Sequence, residues 1–349
     1  MAALTLLQFY FGRLFIRKES CLLVKIFFEN FHRTRGGEVV KFSLKFLKME
    51  KEESKGCSSL GYKLLFSCPF GLSPPQLSVV FDESYDRIPH SDGNLENSIS
   101  EIWDQRVQKN SSLFNGKKFR YGGYSQKSRD GSSQESYVCL HLGLTDYRTF
   151  VGTNLSPFWE KFSVASEDDS TQCRHTSSPL GNGAIVETSD KKIVVLQRSN
   201  NVGEFPGHFV FPGGHPEPQE VGIETHEYSK DPKDSELVNK RVSEEMFDSI
   251  IRELVEEVGV PTTFLSDPLC IGISRRVLNV RPTIFFYIKC NLESKEIQQR
   301  YSNAQDGYES TQLYTVSMTE LEHMTTKMPG CHQGGFALYK LMVEASKNI

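Results

Sequence analysis

Along most of the chain, apolar residues gather in short runs separated by turn signals; only in a few places do they fall at helical spacing. Residues 60–69 and 76–82 read as strands on either side of the Pro74-Pro75 break. Over residues 97–110, Ile99, Trp103 and Val107 recur at helical intervals and predict a helix with one buried stripe. Residues 118–124 and 136–142 are strand-like, joined by a polar loop carrying Asp130-Gly131. Residues 147–151 predict a short helix. Residues 165–178 hold few large apolar side chains and read as a linker.

The pattern sharpens after that stretch. Residues 183–187 and 193–197 are apolar strands joined by a Ser189-Asp190 turn, and 209–211 is a short strand ending at Pro212-Gly213-Gly214. Residues 216–242, with Pro216, Pro218 and Pro232, read as a long loop. Residues 244–258 predict the strongest helix of the chain. Ser243 suits its N-cap, Glu244 and Glu245 complement its positive start, and Gly259 stops it. Strands at 269–274, 283–289 and 312–316 and helices at 294–301 and 335–346 complete the reading. The 349 residues are enough for two cores. We expect an N-terminal α+β domain over 56–165 and a second domain over 176–346.

Composition adds exclusions. Apolar content of 38% and charged content of 24% fit a folded chain. The net charge of −4 hides an asymmetry: residues 1–48 carry nine basic and three acidic side chains, which leaves −10 for the rest. An acidic body disfavours nucleic acid as a partner and calls for a cation or a local basic site if the substrate is anionic. Residues 1–48 read either as upstream sequence that does not fold or as an organelle transit peptide. No apolar run reaches the ~18 residues of a membrane span. The eight scattered cysteines, without any C-x-x-C, read as reduced thiols in the cytoplasm.

The chemistry concentrates on the helix predicted at 244–258. Phe247, Ile251, Leu254 and Val258 form its core face, while Glu253, Glu256 and Glu257 share a different one. Three stacked carboxylates alone read as a solvated acidic face. They also suit a hard divalent cation, which cancels their repulsion. The surrounding residues run Glu244-x7-Arg252-Glu253-Leu254-x-Glu256-Glu257-x-Gly259-Val260. That run resembles the Nudix box, G-x5-E-x7-R-E-U-x-E-E-x-G-U, where U is aliphatic. A chance match to its six single-residue positions is on the order of 10⁻⁴ or less. The chain departs from the pattern upstream: 29 residues separate Gly214 from Glu244 where the box has five.

The resemblance implies an α/β fold, the Nudix α/β/α sandwich around a mixed sheet, preceded here by the smaller α+β domain. Gly213-Gly214-His215-Pro216-Glu217-Pro218 and the segment 142–154 look like the Nudix hydrolases of UDP-glucose and UDP-galactose. That likeness implies Mg²⁺-dependent (or Mn²⁺-dependent) cleavage of a nucleotide-sugar to UMP and sugar 1-phosphate. Glu253 and Glu257 are then the metal ligands and Glu256 a general base. Glu309 lies where such enzymes often place a further acid, with Ser310 beside it among the substrate-binding residues. Arg198, at a strand end, suits a phosphate; His215 and Glu217 follow the glycine turn toward the diphosphate; Phe114 and Tyr147 are candidates to stack the uracil. Arg252 reads as structural, paired with Glu244 or Glu245. His32, His90, His141, His226 and His323 show no ligand spacing. Hydrolysis of another nucleoside diphosphate derivative, such as ADP-ribose or a dinucleotide, and a non-catalytic nucleotide sensor are the alternatives; a sensor has no need of all three glutamates.

Overall fold

The computed structural model describes residues 61–128, 136–200, 202, 204–227, 232–301 and 310–347. In chain order the elements are β1 (Tyr62–Leu72), β2 (Leu77–Phe81), α1 (Gly93–Lys109), β3 (Lys117–Ser128), β4 (Ser136–Asp146), α2 (Tyr147–Gly152) and α3 (Asp169–Gln172). These are followed by β5 (Gly181–Glu187), β6 (Ile193–Arg198), β7 (Phe209–Val210), α4 (Pro232–Val258), β8 (Leu269–Arg276) and β9 (Pro282–Lys289). The last are α5 (Ser294–Tyr301), β10 (Ser310–Val316), α6 (Met318–Met324) and α7 (Gly330–Ser346).

The larger sheet runs β1-β8-β9-β5-β6-β10, with β7 paired to β6. It is mixed: β5 and β9 are parallel and the other pairs antiparallel. Its strands are apolar on both faces because both faces are covered. Ala184, Val186, Val194, Leu196, Ile284 and Phe286 share one core with Met246, Ile250 and Leu254 of α4. The alternate residues Ile185, Ile193, Val195, Phe285 and Tyr287 share the other with Phe336, Leu338 and Tyr339 of α7. The layers are therefore α/β/α. Each aliphatic side chain fully buried between them contributes roughly 1.5–3 kcal/mol.

The smaller sheet runs β2-β4-β3. Leu77, Val79, Phe81, Phe119, Leu140 and Leu142 on it belong to the same core as the inner face of α4. Strand β2 is an edge, and side chains of α4 occupy its outward N–H groups. Val79 N donates to Ser243 Oγ at 2.9 Å and Phe81 N to Asn239 Oδ1 at 2.8 Å. An edge satisfied in this way is closed to foreign strands.

That docking explains the largest departure from the pattern reading. Helix α4 begins at Pro232 rather than at residue 244, so much of the expected loop is helix. Ser243 lies inside it rather than at its cap, its Oγ donating to Asn239 O at 2.7 Å. Partners on a distant strand decided the helix length, and local spacing carries no record of them. The expected linker at 165–178 also differs. It holds α3, and Cys173, His175, Thr176, Ser177 and Ser178 within it are buried. Polar composition misled here because the buried Arg120 side chain donates to carbonyls of this segment, those of Thr176 and Cys173. Helix α1 starts at Gly93, earlier than expected, with the Asp92 side chain accepting from Asn94 N and Leu95 N. Helix α7 starts at Gly330 and passes so close to β9 that a Cβ on Gly335 would meet the Phe285 ring at 2.5 Å. Low helix propensity at its glycines hid that start.

Candidate active site

The turn after β7 is zipped onto β5. Ala184 N donates to Pro212 O at 2.8 Å, Asn182 N to Gly214 O at 3.0 Å, and Gly214 N to Asn182 Oδ1 at 2.6 Å. Gly213 has φ of +144°, and a Cβ there would lie 2.6 Å from Asn182 O. A Cβ on Gly214 would run into the Glu253 carboxylate. Only glycines allow this approach. The turn thereby delivers two backbone donors to α4: Gly213 N to Glu257 Oε2 at 2.8 Å, and His215 N to Glu253 Oε1 at 3.2 Å. Two carboxylates one helical turn apart thus each accept a backbone N–H from this turn.

Beyond the turn, Glu217 pairs with Lys118 of β3 at 2.6 Å, and its N–H donates to Glu245 Oε1 at 2.9 Å. The partner of Arg252 is the buried Glu245, at 2.7 Å. Glu244 is exposed, with Lys240 3.9 Å away. Burial raises the Glu245 carboxyl above its ordinary pKa, and the Arg252 guanidinium offsets part of that.

A basic group faces the same cavity. Arg276 and Arg281 flank the turn between β8 and β9, where Asn279 and Val280 take φ of +55° and +48°. The tight reversal sets both guanidiniums on one carboxylate, Glu204, with Arg281 Nη1 2.9 Å from it. Burial opposes the Glu204 charge, yet Arg276 and Arg281 hold its carboxyl below the usual value. Arg198, at the end of β6, donates from Nε to Glu204 O at 2.9 Å. Arg281 Nη2 donates to His215 Nε2 at 2.6 Å. Burial first, then Arg281, Lys118 and Arg198, push the His215 pKa well below its ordinary value. The Phe205 ring lies under Arg276 at 4.8 Å and Phe150 under Arg281 at 5.4 Å.

These groups line one cavity of about 460 Å³. Of the residues expected from the sequence, it brings together Glu253, Glu257, Arg198, His215, Glu217 and Tyr147. Glu256 is half-buried on α4 outside the lining. Phe114 is 72% exposed and also outside it. Ser310 is buried and pairs in register with Arg198, behind the wall rather than on it. Glu309 lies outside the described residues. The sequence reading missed Lys118, Asn182, Glu204, Arg276, Arg281 and His332. The signal that was available is a cation ending or preceding a buried strand, as at Arg276 and Arg281.

Described charged side chains on the lining balance: Lys118, Arg198, Arg276 and Arg281 against Glu204, Glu217, Glu253 and Glu257. Among the described residues no three His, Cys, Asp or Glu side chains converge as a ready metal cage. Two carboxylates do suit Mg²⁺, which commonly takes one or two and completes its shell with water and phosphate oxygens.

The chain belongs to the Nudix hydrolase family. Nudix hydrolase 9 of Arabidopsis thaliana is 67% identical over 288 residues, which cover 82% of this chain and 93% of that one. The uridine diphosphate glucose pyrophosphatases NUDT22 of Mus musculus and Homo sapiens are 36% and 34% identical; each match covers 75% of this chain, and 83% and 84% of theirs. No family model matches the chain. Among solved structures, a MutT protein from Methanosarcina mazei Go1 aligns over 48% of this chain and 94% of that one, at 16% identity and a TM-score of 0.32, too loosely to carry an argument. Among the described residues, no helix is long and apolar enough to cross a membrane.

Proposed function

We propose that the chain hydrolyses UDP-sugars, UDP-glucose and UDP-galactose, to UMP and the sugar 1-phosphate. The observation that carries this reading is the separation of charge within one cavity, with carboxylates from α4 on one side and guanidiniums from β6 and the β8–β9 turn on the other. A diphosphate diester carries two negative charges, so together with one divalent cation it leaves the balanced lining balanced. The names of the mouse and human relatives, at 36% and 34% identity, supply the uridine and glucose.

Divalent metal, usually Mg²⁺, is the general cofactor of the family. Glu253 and Glu257 would hold it, and when bound it neutralises phosphate charge and acidifies a coordinated water. Arg198, Arg276 and Arg281 supply the positive charge that the phosphate oxygens meet. Glu217 keeps Lys118 at the cavity edge. The Tyr147 ring, with Phe150 and Leu155, forms an apolar wall for the base or sugar. Water adds to one phosphorus as the bond from that phosphorus to the bridging oxygen breaks. The proton lost goes to Glu256 or Glu309, and Glu256→Gln and Glu309→Gln, each assayed for turnover, separate these roles. A panel of nucleoside diphosphate derivatives, assayed with Mg²⁺ and with EDTA, tests the reading. We expect preference for UDP-hexoses and no turnover in EDTA; preference for ADP-ribose, or EDTA-resistant turnover, would contradict it.

A further inference from the structure

His332 stands on the first turn of α7, lines the cavity, and was singled out by no motif. Its Nδ1 accepts the Phe211 backbone N–H at 3.1 Å. An accepting Nδ1 carries no proton, so in the neutral ring the proton is on Nε2. Among the described residues Nε2 meets no acceptor, and it is not one of the buried unpartnered atoms; it opens on the cavity. The ring is wedged between Phe211 and Phe285, with centroids at 6.0 and 5.6 Å, so the donor is held in place.

We infer that His332 is a substrate-binding residue whose Nε2–H donates to a phosphate oxygen of the bound diphosphate. This inference deepens the function proposed above and rests on its diphosphate substrate. Three guanidiniums, those of Arg198, Arg281 and Arg276, act on the ring and mark its surroundings as the place for an anion. Burial and those three charges push its pKa down to about 3. At neutral pH the ring therefore adds a donor without adding a fourth cation, and it is not charged to serve as an acid. A neutral donor beside three guanidiniums helps orient the phosphate while sparing the cations further repulsion.

The test uses inorganic pyrophosphate as probe, with Mg²⁺ present, and calorimetry on the full chain. In His332→Asn, Oδ1 can still accept from Phe211 N–H, but no donor reaches the Nε2 position. In His332→Gln, the longer amide carries a donor to that position and gives up the contact to Phe211. We expect His332→Asn to weaken pyrophosphate about 10- to 100-fold at an unchanged melting temperature, since a hydrogen bond to a charged group is lost. His332→Gln should bind much closer to wild type. Equal binding by His332→Asn and wild type, or no pyrophosphate binding by wild type, overturns the inference. So does a loss in His332→Asn that tracks its melting temperature with no rescue by glutamine. UDP-glucose turnover by wild type is read in parallel. If it is absent while the binding series holds, the UDP-sugar reading fails and the role of His332 stands; if it is present and His332→Asn binds normally, only the role of His332 falls.

Discussion

Glu253 and Glu257 are fixed by two backbone N–H groups of a single turn, whereas Arg198, Arg276 and Arg281 are gathered by one residue, Glu204. On the acidic side, main-chain donors of the turn at residues 213–215 meet both carboxylates. On the basic side the Glu204 carboxylate, between β6 and β7, holds Arg276 and Arg281, while its main-chain oxygen holds Arg198. The first arrangement joins one turn to one helix through main-chain donors; the second joins three segments through one side chain and its own main-chain oxygen. Breaking each in turn should therefore give different signatures.

The largest effect is expected at Glu204. Glu204→Ala leaves two buried guanidiniums without their carboxylate and should cost roughly 3–5 kcal/mol of stability, read by urea unfolding. It should also raise KM, because Arg276 and Arg281, which we propose meet the phosphates, are no longer held together. Normal stability and KM in that variant would show that something else holds the arginines. On the acidic side, Glu253→Gln and Glu257→Gln keep an amide oxygen to accept the backbone donors. Each should retain the melting temperature but lower kcat by at least ~10²-fold, through lost stabilisation of transition-state charge. Near-normal turnover would remove these residues from metal binding.

Smaller effects sharpen the contrast between the polar sides and the apolar wall. Tyr147→Ala should raise KM for UDP-glucose about 5- to 150-fold with less change in kcat, since stacking on a base is worth ~1–3 kcal/mol and is made equally in ground and transition states. Phe114→Ala, outside the lining, should raise it far less; the reverse order would place the base on the Phe114 loop. His332 adds a pH dependence. Its folded pKa of about 3 lies below the ~6.5 of the unfolded chain, so between those values the unfolded state binds the extra proton. Stability from this residue is fully present above pH ~6.5 and falls as pH drops through the window, by at most ~1.4 kcal/mol per unit. Unfolding of His332→Asn followed from pH 7 to 5 should show a shallower slope than wild type.

What the sequence disclosed follows the same division. Residues 252–258 sit on one helix, so their spacing puts Glu253 and Glu257 on one face, and the resemblance to the Nudix box is what singles them out. The strands flanking them were readable because both faces are buried and their apolar runs are nearly continuous. The basic side left no such trace. Arg198, Glu204, Arg276, Arg281 and His332 are scattered over 135 residues of chain and meet only because β6, β8 and α7 converge. Arg198 ends a strand whose apolar run is plain in the sequence; Arg276 ends β8 in the same way, past the apolar run that marks that strand. Phe114 is an aromatic side chain in a polar stretch, a local cue silent on whether the cavity lies beside it. The early start of α4 was hidden for a related reason: Asn239 and Ser243 serve β2, far away in sequence.

We propose that this cavity cleaves the diphosphate of a UDP-sugar. Incubating the wild-type chain with UDP-glucose and Mg²⁺, and resolving the products by chromatography, tests it most directly. The account predicts UMP and glucose 1-phosphate in equal amounts. Release of UDP and free glucose, or no turnover of UDP-glucose under conditions where another nucleoside diphosphate derivative is consumed, would contradict it.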